Sequence, residues 1–460
     1  MKKPLPIIAA LIGLGGASLC AQEALTSDTI KVYDHALFYD GYLMEKNPDK
    51  DLDDGILRHS CSLYSTRLTD GQLDAVGDSL KLNVFVHACC DNYDRIGNIN
   101  IAFVPKGAEA YATDEVDRIE IARFITPFMD MNKEPSTVPY CYDIDYLSPI
   151  LRDSTLRADY DLWLEYELFG IPYAANEQIN GCEGRSDVFK GSLEFVTSSP
   201  AAPSTKGNLL IPIVIKKPEY IGSNLNNYNE EGTDTIGKTV KSYYFDVPHD
   251  VNGGQIVLIT SNHGANTGGE EYNRRWHYVY IDDELVLSYI PGRDSCEPFR
   301  KYNTQANGIY GRTKMSDSEW QSFSNWCPGD VIDNRIIYMG DVKKGEHKVT
   351  ISVPDAKFRQ KQGDIPVSMY FHGATDGTEN AGIQTPTAAP SLAKVRIENG
   401  ELLVWSDSPI KGVEIYNLSG EKMCSRVSNA PIALGGYAPG IYLVNIDFAN
   451  GITETHKVRL

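Results

Sequence analysis

At 460 residues, with 42% apolar side chains, the chain is long enough for two or three ordinary hydrophobic cores. A net charge of −19 and a pI near 4.9 exclude a nucleic-acid binder, whose phosphate partner demands clustered Lys and Arg, and suit a soluble protein working outside the cell. Tyrosine, at 27 copies against 14 phenylalanines, fits β-sheet surfaces and stacking on carbohydrate alike.

Lys2 and Lys3, the apolar run 7–19 and the small residues up to Ala21 read as an export leader over residues 1–21. Cys20 follows Leu19, where a lipid-attachment site needs a small residue, so cleavage after Ala21 is expected instead. No later run is long and apolar enough to span a bilayer. Residues 82–87 (LNVFVH) and 98–103 (NINIAF) alternate in polarity and read as neighbouring β-strands. Between them lies CDNYDR (90–95), with two carboxylates, a guanidinium and a tyrosine; a loop between strands is where a rigid sheet presents chemistry. Alternation returns at 255–260, 277–281, 285–289, 347–353 and 366–371, and residues 316–322 are the best short-helix candidate. Many short strands with little helical periodicity predict an all-β chain of sandwiches. The Pro/Ser-rich stretch 198–206 joins halves expected at 28–200 and 207–383, and a second linker, 384–391 (QTPTAAPS), precedes a compact tail at 392–460.

In the tail, 413–420 (VEIYNLSG) is a strand running into a turn and 437–444 (YAPGIYLV) a turn feeding a strand, with Lys457 near the end. This pattern resembles the C-terminal sorting domain of type IX secretion, a small immunoglobulin-like sandwich. The resemblance implies a secreted or cell-surface protein that meets the type IX machinery. A carbohydrate-binding or fibronectin-like module is the alternative reading.

Eight of the nine cysteines lie outside the leader, and an even number in an exported chain points to disulfides without giving their connectivity. There is no G-x-S-x-G elbow, no H-E-x-x-H zinc helix and no glycine-rich phosphate loop, and His263 and His277 are too far apart to read as a metal pair. RFITP (123–127), GGEEY (268–272) and WCPG (326–329) follow CDNYDR along the chain. In this order and spacing the four motifs resemble the peptide-N-glycosidase F family, bacterial amidases that release N-linked glycans from asparagine, from about residue 30 to about residue 380. The resemblance implies two jelly-roll sandwiches side by side with a glycan cleft at their interface. It also implies a monomeric enzyme acting on N-linked glycoproteins or glycopeptides without metal or cofactor. Such amide hydrolysis needs a base for water, stabilisation of the oxyanion and a proton for the departing glycosylamine, roles that carboxylates in different environments can divide.

By this resemblance Asp94 is the principal catalytic aspartate, where local sequence alone favours a turn-capping residue. Asp91 and Arg95 then bind the sugar or fix Asp94, the alternative being a solvated salt bridge. Glu271 is the second carboxylate, with adjacent Glu270 as rival; the placement of His277 six residues on favours Glu271, although His277 by itself reads as a satisfied strand histidine. Glu167 holds the proximal sugar, or is an exposed edge-strand charge; strand alternation puts Glu165 on the same face, so face does not separate the two. Phe169 replaces the family's tryptophan near Glu167. Tyr272 and Trp326 wall the pocket, with a core role equally open to Trp326. The family also implies a disulfide between Cys296 and Cys327, and leaves Cys89 and Cys90 as a vicinal pair or with separate partners. Phe323 stands in place of a family arginine, Asn262 and His263 in place of a tryptophan-containing loop, and Gly269 and Asn273 in place of a disulfide, so the rim is altered. A non-catalytic glycan binder and a carboxylate-dependent glycoside hydrolase are the competing functions.

Overall fold

A computed structural model describes residues 28–43, 52, 54–198, 208–214, 223–225, 239–265, 269–305, 316–321, 323–356, 363–375, 382–383, 393–398, 400–406, 409–417, 422–426, 430–438, 440–448 and 453–460. The expected leader, the joins at 199–206 and 384–391, and Gly268 lie outside the described residues. By contacts the chain divides into two compact units, residues 1–386 and 387–460.

The first unit opens with strands β1 (Asp28–Tyr39), β2 (Ile56–Ser60), β3 (Leu63–Arg67), β4 (Leu80–Ala88), β5 (Ile96–Pro105), β6 (Asp117–Ile125), β7 (Thr137–Asp143), β8 (Tyr160–Leu168) and β9 (Asp187–Thr197). It continues with β10 (Asn208–Val214), β11 (Ser223–Asn224), β12 (Val240–Val247), β13 (Val251–Thr260), β14 (His277–Ile281) and β15 (Glu284–Tyr289). The last are β16 (Val331–Ile332), β17 (Arg335–Val342), β18 (Gly345–Ser352), β19 (Pro366–Ala374) and β20 (Gly382–Ile383). One sheet runs β1-β9-β4-β7 and faces another ordered β16-β6-β5-β8-β3-β2. The second sandwich pairs β17-β13-β19-β10-β20 with β12-β18-β14-β15. Setting aside the short strands β2, β11, β16 and β20, each sandwich has the same plan. Numbered by order along the chain, its strands run first-eighth-third-sixth in one sheet and second-seventh-fourth-fifth in the other. That is a jelly roll, twice.

This topology corrects one expectation. β4 and β5 are consecutive but not neighbours: β4 pairs with β7 and β9, β5 with β6 and β8. The CDNYDR loop therefore crosses from one sheet to the other at the end of the sandwich. On β4 the alternation marks one buried face, Leu80, Leu82, Val84 and Val86, each contributing about 1.5–3 kcal/mol by leaving water, whereas β5 is buried on both faces from Gly97 to Val104. Pairing depends on distant partners, which local alternation does not encode.

The sandwiches are tied together. β16, from the second half of the chain, adds to the edge of the first sandwich beside β6. Leu210, Val257 and Tyr370 of the second sandwich join the hydrophobic core of the first. Residues Asp317–Gln321 form a short α-helix inside the predicted 316–322 segment. Among the described residues no helix is long and apolar enough to cross a membrane.

The second unit is a small all-β body. Its strands β21 (Ala393–Glu398), β22 (Glu401–Ser406) and β25 (Ile432–Ala433) form one sheet, and β24 (Lys422–Arg426), β23 (Ile410–Asn417), β26 (Ile441–Phe448) and β27 (Thr453–Arg459) the other. Val413, Ile415, Val444 and Ile446 fill its core.

Candidate active site

The loop after β4 is fixed from within. Asp91, with no exposed surface, accepts Arg95 Nε at 2.7 Å and Nη2 at 3.3 Å, the Tyr93 amide at 2.9 Å and the Ile171 amide at 2.7 Å. Thr126 of RFITP closes the other side: its Oγ1 accepts the Arg95 amide at 2.7 Å and donates to Tyr93 O at 3.0 Å. Cys90 bonds to Cys182, and Cys89 is a buried free thiol pushed up to about 12 by desolvation. There is no vicinal pair, and only Cys90 has the separate partner expected of both cysteines. Asp91 is thus a buried clamp on the loop that carries Asp94, which matches the second of its two expected roles and not a solvated salt bridge. Arg95 is partly exposed and Asp94 projects half-buried beside it.

The loop between β13 and β14 is held by backbone. Asn325, just before Trp326, donates its Nδ2 to Glu270 O (2.8 Å) and Glu271 O (2.6 Å), and Ser324 Oγ donates to Glu271 O at 2.6 Å. The Gly264 amide donates to Glu271 Oε2 at 3.1 Å. Three glycines let these strands of backbone cross: a Cβ on Gly264 sits 2.3 Å from Gly363 Cα, and one on Gly269 lies 2.1 Å from Gly264 O. The two glutamates part here. Glu270, 1% exposed, is taken by Arg275 at 2.9 and 3.3 Å. Glu271, 8% exposed, bonds to Gly264 and Tyr272.

Across the seam the Glu271 charge bears on the Asp94 carboxyl. Burial first, then the Glu271 charge, hold the Asp94 carboxyl well above the ordinary range, with Arg95 opposing. Burial raises Glu271 too, against the hydrogen bonds from Gly264 and Tyr272. Tyr272, 43% exposed, is pushed up by desolvation and then by both carboxylates, so it stands beside the pair. Asp364 also bears on Glu271 and is itself raised to about 6 by burial.

Beneath this pair the seam is latched by Arg123, a buried residue that the sequence offered only as part of a motif. It forks onto Glu120 at 2.7 and 2.8 Å and reaches into the second sandwich to Ser261 Oγ (2.9 Å), Pro366 O (3.0 Å) and Ser368 Oγ (3.3 Å). His263 Nε2 meets the same Ser261 at 2.7 Å, and burial drops its pKa to about 3. Asn262 is fully buried, and its side-chain amide has no hydrogen-bond partner among the described residues. No local sequence signal marks the reach of Arg123 into the second sandwich or the hold of Asn325 on the glutamate loop, because those partners lie far along the chain.

Glu167 lies on β8, which is interior to its sheet, so the edge-strand reading fails. It sits opposite Asn98 and Leu63, while Glu165 is committed to Arg118 at 3.0 Å and Tyr111 at 2.8 Å. Phe169 is partly exposed and meets Tyr42 edge-on at 5.4 Å. Trp326 is not an open wall: it is 5% exposed, donates Nε1 to Asn262 O at 3.0 Å, and packs with Phe323, Trp320 and Phe128 around the bonded pair Cys296–Cys327. Its apolar ring has more to gain in that cluster than at a wet rim. Phe323 packs against Tyr272 as well, at 6.1 Å, so the replacement of an arginine there exchanges a rim charge for core. His277 is buried, bonds Arg275 O at 3.0 Å, stacks on Tyr289 and falls to about 4 through desolvation, as a strand histidine does.

Residues 29–183 match the family description "Peptide-N-glycosidase F, N terminal" and residues 227–372 match "Peptide-N-glycosidase F, C terminal". Among solved structures, PNGF-II in two crystal forms is 17% and 18% identical, with TM-scores of 0.51 and 0.50; the alignment covers 75% of this chain and 65% of that one. The chain thus spans just under two thirds of the length of PNGF-II. A structure described as PNGase F, a glycosylasparaginase from Flavobacterium meningosepticum, is 16% identical over 78% of this chain and 98% of that one, with a TM-score of 0.48. At such identities the structural likeness speaks to fold alone. Among curated proteins, none matches in sequence. Since the two family domains together account for most of the chain, in the order found here, the protein belongs to the peptide-N-glycosidase F family.

Proposed function

We propose that the protein is an exported amidase that cleaves the bond between an asparagine side chain and N-acetylglucosamine in N-linked glycoproteins or glycopeptides. The observation that carries this reading is the pairing of Asp94 and Glu271 across the seam, one from each sandwich. Water adds to the amide carbon as Asp94 takes its proton, the Tyr272 hydroxyl, oriented by Glu271, donates to the oxyanion that develops, and the proton passes to the departing nitrogen. Aspartate remains on the peptide and the glycan leaves as a glycosylamine. Asp91 and Thr126 act through Arg95 and the loop backbone to position Asp94. Glu167, Arg95 and the Phe169–Tyr42 pair hold sugar, and Tyr272 offers an exposed face. The disulfides Cys90–Cys182 and Cys296–Cys327 suit an oxidising compartment. The leader and the separately folded tail, read as a type IX sorting domain, supply the address.

Product analysis of a defined glycopeptide in ¹⁸O-water tests the reading. The amidase leaves aspartate carrying one ¹⁸O. A sugar stub on intact asparagine identifies a glycoside hydrolase, and unchanged substrate a binder; either result overturns it.

A further inference from the structure

Further along the inter-sandwich seam lies a cavity of about 410 Å³. Its volume falls in the ~300–1,000 Å³ range of small-molecule sites. Tyr146 contributes from the first sandwich; Asn208, Asn252, Gln255, His372 and Ala374 come from the inner sheet of the second. Register places them together: His372 pairs with both Leu210 and Gln255, and Ala374 with both Asn208 and Asn252. Leu210, Val257 and Tyr370 on this face are packed into the first sandwich's core. Two residues along each strand, the same face presents Asn208, Gln255 and His372, so the seam turns from apolar to polar where it opens. His372 lies four residues beyond Ser368, the residue that Arg123 meets, so the cavity is roughly 13 Å further along the strand from that latch.

Two features of this lining are unspent. His372 is only 7% exposed, yet its Nε2 has no hydrogen-bond partner among the described residues, and neither has the buried Gln255 Oε1. A buried polar atom left unmatched is costly, so such atoms are ordinarily met by water or a ligand. Tyr146 and His372 stack at 5.5 Å with 23° between their planes, offering aromatic surface beside three side-chain amides. Among the described residues no Asp, Glu, Lys or Arg lines the cavity.

We propose that this cavity is a second binding site, for one neutral sugar ring, separate from the carboxylate pair. Pyranose C–H faces stack on aromatic rings, ring hydroxyls both donate and accept, as amides do, and an uncharged lining gives no advantage to an anion or cation. The inference goes beyond amide hydrolysis and does not depend on it.

The test is titration of the full-length protein with free N-acetylglucosamine and with glucose, followed by calorimetry and ligand-observed NMR. Thermal unfolding of every variant confirms its fold. Saturable binding with Kd on the order of 1 mM is expected. His372→Phe, which keeps the ring and removes Nε2, weakens it about tenfold. Ala374→Trp fills the cavity and abolishes it, while the double variant D94N/E271Q retains it. If A374W does not fold, His372→Phe alone decides. The proposal is overturned if no sugar saturates at roughly 50 mM, which leaves water as the occupant. It is equally overturned if binding survives His372→Phe and A374W but is lost in D94N/E271Q, or if gluconate binds better than glucose.

Discussion

Asp94 and Glu271 occupy equivalent places in two equivalent folds, and the two places are built differently. Each lies on the connection from the third to the fourth strand of its jelly roll, β4 to β5 in the first and β13 to β14 in the second. The first connection is short and is held mainly by side chains, Asp91 on Arg95 and Thr126 on the loop backbone, with a disulfide at its root. The second is longer and is held by remote backbone and by Asn325, with three glycines where chains cross. One topological position thus delivers a carboxylate from each side of the seam, and the means of holding it differ.

Asp94→Asn breaks the pair most severely: kcat falls at least ~100-fold, as for a missing general base. Stability moves the other way. The folded state raises this pKa, so it binds the proton more tightly than the unfolded chain does, and the stabilisation is lost as pH rises through the folded value. At pH 7 the unfolding midpoint of D94N therefore stays level or rises, as calorimetry will show. A lowered midpoint means Asp94 is structural.

Glu271→Gln and Glu270→Gln separate the two glutamates of the second loop. E271Q lowers kcat about tenfold or more with its melting point kept. E270Q retains kcat per folded molecule but loses about 1 kcal/mol, because Arg275 loses a buried partner while staying partly solvated. The opposite ranking would place Glu270 in the cleft.

Gly264→Ala attacks the crossing itself. The methyl meets Gly363 Cα, where there is no flexible side chain to yield, and the amide that holds Glu271 is displaced. Both kcat and the unfolding midpoint fall, by about 1–3 kcal/mol in stability. A counterpart beside the first loop, Thr126→Val just after β6, removes the bond to the Arg95 amide and acts mainly on kcat, which steady-state kinetics with a melting-point control will show.

How much of this was legible in the sequence follows from the same contrast. CDNYDR announced itself because its clamp spans five residues, and the strands around it alternate by a local rule. GGEEY did not say which glutamate is taken by Arg275 and which by the Gly264 amide, since the loop must fold before either contact forms. The placement of β4 and β5 in opposite sheets, the bond from Cys90 to Cys182, the burial of Trp326 and the Arg123 latch all depend on partners far along the chain. The cavity beyond the seam needs both sandwiches docked before it exists.

The smallest effect is expected from the tail. Truncation after residue 383 keeps β20 beside β10, and the tail is a compact unit of its own, so purified activity changes less than about twofold while export in the native host fails. A folded truncation without activity would give the tail a part in substrate capture.

The coupling of the two loops is read most directly by ¹³C NMR titration of the Asp94 carboxyl, in the wild type and in Glu271→Gln. The account predicts a midpoint above the ordinary aspartate value of ~3.9 that moves down when the Glu271 charge is removed. A midpoint in the ordinary range, unmoved by the substitution, would contradict it.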